Sequence, residues 1–130
     1  MNIYTIQISK HRLLNNTDIE FIDTTVKSSD SFLKPTWEIV MRVKKGEISE
    51  AEYIEKYLEI IRERYKNNKS QFINFLQNNN HVALACYCKP HVFCHRILAI
   101  DILSKIAKKE NIEFNYLGEI ENKEFMKGNE

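Results

Sequence analysis

Residues 81–87, His-Val-Ala-Leu-Ala-Cys-Tyr, constrain the fold more than any other stretch. Nearly continuous apolar character over this length marks a central strand buried on both faces, so layers must pack above and below it. A polar loop follows over 88–93. A helix is then predicted over 94–109, with Leu98, Ile102, Leu103 and Ile106 on one face. Upstream, 3–8 and 20–26 are β-branched and aromatic runs that predict strands, separated by a basic turn at 9–12. A short helix is expected over 36–45 after Pro35 and stops at Gly46. Ser49 stands three residues before Glu52, the spacing of a capping box, and opens a helix that runs to about residue 66. A second amphipathic segment covers 70–76, and 112–117 reads as the last strand. Strands alternating with helices predict an α/β architecture, with a small, mostly parallel sheet of about four strands and helices on both faces. Ligands of such sheets bind outside the carboxyl ends of the strands, here 9–12, 27–30, 88–96 and 118–119.

A length of 130 residues fits one domain, expected over 1–120, with 121–130 as a charged, frayed tail. No apolar run reaches the ~20 residues that span a bilayer, and the start lacks the apolar stretch of a signal peptide, so a cytoplasmic protein is expected. Nineteen basic and eighteen acidic side chains leave a net charge of +1. A duplex-binding surface carries a basic excess, so the charge gives nucleic-acid binding no support. All three cysteines fall between positions 86 and 94. A secreted framework would space them apart; clustered thiols in a reducing compartment suggest a site.

That site would lie where the central strand meets the helix. Cys86 and Cys88 share a side of the strand, whereas Cys94, His95 and Arg96 open the helix, where unpaired N–H groups and the helix dipole attract anions. Arg96 brings a guanidinium suited to carboxylate or phosphate. The same field favours a thiolate at Cys94. His95 is a candidate proton donor, but neighbours on a helix point about 100° apart, so Cys88 or His91 would reach Cys94 more directly. Three readings stand side by side. The cysteines could be packing residues, with His95 capping the helix. Cys86, Cys88, Cys94 and His95 or His91 could hold a tetrahedral zinc, although Cys-x-Cys-x5-Cys-His departs from the familiar knuckle spacing. The turn could instead bind or transform an anionic ligand. A Cys86–Cys88 disulfide lies near the upper limit of bridging distance.

The run Leu84-Ala85-Cys86-Tyr87-Cys88-Lys89-Pro90-His91-Val92-Phe93-Cys94-His95-Arg96, with Leu98 and Ala99, resembles the signature of the domain of unknown function 488 family. Ile3-Tyr4-Thr5, Ser9-Lys10 and Gly118-Glu119 fit its general layout. The resemblance implies a compact, Rossmann-like three-layer domain with a pocket around Cys86, Cys94, His95 and Arg96. It also leans towards nucleotide-related or nucleic-acid-related roles, and Cys88 stands where that family has a glutamate. The expected function is binding of a phosphorylated ligand, most naturally a nucleotide, at 88–96. Cys94 and His95 would be the catalytic pair, and Arg96, Cys86, Cys88, His91, Lys10, Thr5 and Glu119 the ligand-binding set. Two alternatives stay open: a zinc-stabilised interaction or nucleic-acid-binding module, and a protein that sequesters a nucleotide signal unchanged.

Other residues read as structural. Asp23, Thr24 and Thr25, at the end of the second strand, would satisfy local backbone groups, with a place on the ligand rim as the alternative. Trp37 reads as a core anchor, with stacking on a base as the alternative. Tyr53, Tyr57 and Tyr65 would face inward, beneath a charged outer face carrying Arg62, Arg64 and Lys66. Glu119 is a candidate replacement for the glutamate absent at 88.

Overall fold

The computed structural model describes residues 1–26, 31–78, 81–87 and 95–122. Four strands, β1 (Asn2–Gln7), β2 (Glu20–Asp23), β3 (His81–Cys86) and β4 (Asn115–Ile120), form one sheet in the order β2-β3-β1-β4. Every pairing in it is parallel. The helices are α1 (Trp37–Lys44), α2 (Glu50–Asn67), α3 (Lys69–Asn78) and α4 (His95–Lys109), and a 3₁₀-helix covers Ile8–Leu14. The architecture is thus the expected α/β one, and β3, central as predicted, is buried from Val82 to Cys86. Among the described residues no helix is long and apolar enough to cross a membrane.

The two faces of the sheet are covered unequally. Ile3, Val82 and Leu84 share a core with Ile39 of α1, Tyr57 and Ile61 of α2, Phe72 of α3 and Leu103 of α4. On the other face Tyr4, Ile6, Ala83, Ala85 and Ile120 pack with Leu14 of the 3₁₀-helix. Strand order accounts for this. The chain moves two places along the sheet from β1 to β2, then in the opposite direction to β3 and on to β4. Crossovers of one hand send opposite movements over opposite faces. The β1-to-β2 connection, residues 8–19, therefore has one face to itself and crosses it with a 3₁₀ segment. Adjacent strands β1 and β3 send their chains to opposite faces, so a topological switch point opens beyond Gln7 and Cys86, which are register partners.

Local signals explain most element boundaries. Thr36 caps α1, its side chain accepting from the Ile39 N–H. The capping box at Ser49 and Glu52 is complete. Gly46, at φ 74°, ends the turn after α1 in the left-handed region that favours glycine. Four expectations need correction. The second strand stops at Asp23 rather than at 26. Arg64 does not lie on a solvated outer face: its Nη1 donates to the carbonyls of Phe32 and Lys34. The last strand is 115–120 rather than 112–117, because Ile112 belongs to the end of α4. Its N–H donates to the Ala107 carbonyl (2.8 Å) and that of Asn111 to Lys108 (3.4 Å), with Asn111 left-handed at φ 57°; these are the bonds of a Schellman cap. Trp37 is not a core anchor: it is 52% exposed, and Ile39 supplies the buried side chain of α1. The inward reading of Tyr53 and Tyr57 holds, and the Tyr57 hydroxyl donates to the Leu33 carbonyl at 2.7 Å.

Candidate functional site

Arg96, in the first turn of α4, is 1% exposed and among the largest fully buried side chains. A charge at such a position needs a partner and matched hydrogen bonds. Its Nε and Nη2 donate to Oε1 and Oε2 of Glu119, each at 3.2 Å, in a bidentate pair whose carboxylate side chain is 8% exposed. Its Nη1 donates to Cys86 Sγ at 3.1 Å. The guanidinium thus ties the start of α4 to the end of β3 and to edge strand β4, beside the switch point.

Glu119 faces Arg96 because β4 is irregular. Between Ile3 and Thr5 of β1 the partner on β4 advances from Tyr116 to Glu119, one residue more than regular pairing allows. The extra residue is a bulge, and Gly118 within it has φ 102°. Strict alternation would put Tyr116 and Glu119 on opposite faces. The bulge returns both to the face that carries Thr5. Tyr116 Oη lies 2.7 Å from the buried Thr5 Oγ1. Burial, and then the nearby Glu119 carboxylate, hold the Tyr116 phenol above its ordinary pKa, although the Thr5 bond and Arg96 oppose this.

His95 is also buried, at 8% exposure, but points elsewhere, as the angular offset of helix neighbours requires. Its Nε2 lies 2.8 Å from the Thr24 carbonyl and 3.1 Å from Thr24 Oγ1. A carbonyl only accepts, so Nε2 carries the proton and Nδ1 is the lone-pair nitrogen of the neutral ring. The Thr24 hydroxyl donates to Ala85 O at 2.8 Å. Burial lowers the His95 pKa; the Cys86 side chain and the Thr24 bond pull the other way, and Arg96 adds to the lowering. The ring rests 6.0 Å from that of Tyr57, centroid to centroid.

The structure therefore joins Cys86, Arg96 and Glu119 directly, with Thr5 beside them through register and Tyr116. His95 is anchored one strand away. Arg96 was expected to face a bound anion; its anionic partner in the structure is the chain's own Glu119. Lys10 lies apart, donating to the Glu121 carbonyl at 3.3 Å. The local role of Asp23 holds, as Oδ1 accepts from the Thr25 N–H (2.8 Å) and hydroxyl (2.7 Å). Cys88, His91 and Cys94 lie outside the described residues, as does the tail from 123 onward. Two of the four suggested zinc ligands are thus not described. Among the described residues no group of three or more His, Cys, Asp or Glu side chains is placed to hold a metal ion. Tyr116 is a member of the site that the sequence did not single out for it. Gly118 inside a strand pattern was the one available signal for Tyr116, since isolated strand glycines mark bulges.

A protein-family model, DUF488-N3a, described as the active DUF488-N3 subclade, matches residues 13–107. No curated protein and no solved structure matches the chain.

Proposed function

The chain belongs to the DUF488 family, and from that premise we propose that it binds a small phosphorylated ligand, a nucleotide or nucleotide derivative, at the β3-to-α4 junction, with thiol- and histidine-dependent turnover there. The observation that carries this reading is the buried Arg96–Glu119 pair with Cys86 at its third edge. A buried ion pair is weak evidence for stability, since apolar residues of similar volume often serve the fold as well. Its position beside the switch point, where ligands of parallel sheets bind, supports a recognition role. Among the described residues at this junction the guanidinium is the group suited to a phosphate. Among the described residues Cys86 is the thiol proposed for this chemistry, since its Sγ accepts a hydrogen bond from Arg96 Nη1. Neutral His95, with its proton on Nε2, is the histidine proposed for proton transfer. Description of the matched family model as active is in keeping with turnover.

The test is calorimetric titration of a nucleotide panel into wild type and Arg96→Lys, followed by mass spectrometry of each nucleotide after long incubation. Arg96→Lys keeps the charge but loses the fork, so binding should weaken by about tenfold or more. Nucleotide recovered chemically changed by wild type and unchanged by Cys86→Ser supports turnover. Nucleotide recovered intact from both reduces the function to sequestering. Equal affinity of wild type and Arg96→Lys for every nucleotide overturns the reading.

A further inference from the structure

The bidentate fork of Arg96 is the group that a phosphate would use, yet it is filled by Glu119. Building on the reading above, we infer that Glu119 is a displaceable internal counter-ion, and that the site selects ligands ending in a phosphate monoester over diesters and carboxylates.

Three features of the structure carry this. The Glu119 carboxylate occupies Nε and Nη2 with the two-oxygen geometry a phosphate would adopt. It sits on a strand that is at the edge of the sheet among the described residues. It also directly follows Gly118, a left-handed residue inside a bulge, where the ladder is already interrupted. Swinging the Glu119 side chain outward leaves its backbone in register with Thr5 and needs change only beside a bulge. Arg96, by contrast, is fixed from the other side by α4 and by the Cys86 contact.

Selectivity follows from charge. Glu119 is tethered beside the guanidinium, at an effective concentration in the millimolar range or above. A diester or carboxylate ligand, with one negative charge, offers the arginine nothing that the tethered carboxylate lacks. A terminal phosphate, with a second pKa of about 6, is a dianion at pH 8 and binds the same fork more strongly. Displacement therefore favours the doubly charged group.

The experiment titrates methyl phosphate and dimethyl phosphate into wild type and Glu119→Gln at pH 8, with circular dichroism to establish that both are folded. Wild type should bind methyl phosphate and show no binding of the diester. Glu119→Gln should bind methyl phosphate about tenfold or more tighter and begin to bind the diester. A folded Glu119→Gln that binds methyl phosphate no tighter than wild type does overturns the inference and leaves the nucleotide reading standing. Absence of methyl phosphate and nucleotide binding in both proteins overturns the two together. Should Glu119→Gln not fold, wild type decides by nuclear magnetic resonance. Saturating methyl phosphate should shift both the Arg96 Nε–H and the Glu119 carboxyl-carbon signals. A Glu119 signal that stays in place overturns displacement.

Discussion

His95 and Arg96 are consecutive, both buried, and opposite in how they are satisfied. His95 is neutral and held by Thr24, whose own N–H and hydroxyl are bound to Ala85, so the ring is locked to the backbone of the sheet. Arg96 is charged and held by side chains, one of them on an edge strand next to a bulged glycine. Groups satisfied by backbone move only if the sheet moves. Groups satisfied by a side chain can exchange partners through one rotation. The start of α4 thus combines a fixed point and an exchangeable one, and ligand-dependent change should be confined to the second.

The most severe way to break this contrast is to strip Arg96 of its carboxylate. Glu119→Ala should destabilise the fold by about 3–5 kcal/mol in urea titration, because it leaves a buried charge uncompensated. Arg96→Met combined with Glu119→Leu should recover most of that loss, and a double variant as unstable as the single one would contradict it. A smaller effect is expected at the bulge. Gly118→Val forces a β-branched residue to φ 102° and should cost about 1–3 kcal/mol. It should also make a further Glu119→Ala change cheaper than in wild type, since the two residues act through one geometry. Full additivity in that double-mutant cycle would separate the bulge from the ion pair.

The mildest effect belongs to His95. Burial holds its folded pKa below the ordinary value of about 6.5, so the unfolded chain takes up the proton first. The stability this group contributes is complete above about pH 6.5 and declines as pH falls towards the lowered value, by at most about 1.4 kcal/mol per pH unit. Urea titrations at pH 8, 6.5 and 5.5 should show wild type losing more stability with acid than His95→Gln does. Parallel losses would mean that other groups carry the acid sensitivity.

Much of this arrangement was legible in the sequence. The apolar run at 81–86 named the central strand, and Ser49 with Glu52 named the start of α2. Glu119 was legible as a candidate carboxylate, but its orientation was not. Two-residue alternation assigns it to a face only after the extra residue at the bulge is counted, and Gly118 marks that residue without stating its effect. The last strand was displaced for a similar reason. Ile112 and Phe114 alternate like strand residues, yet a left-handed Asn111 turns Ile112 back onto the helix. The 3₁₀-helix had no periodic signal, because its seven residues bury only Leu14 and so repeat no apolar face.

The unequal covering of the sheet makes the molecule unevenly editable. The turn after the 3₁₀-helix is exposed from Asn15 to Asp18 and passes through a left-handed Asn16. Sequence spliced in there would build outward from the thin layer, with the whole sheet between the graft and Arg96. Extra length between β2 and α4 would instead accumulate over the face that carries the ion pair. New modules and tags are therefore best grafted at 15–18, where growth leaves the chemistry on the far side of the sheet undisturbed.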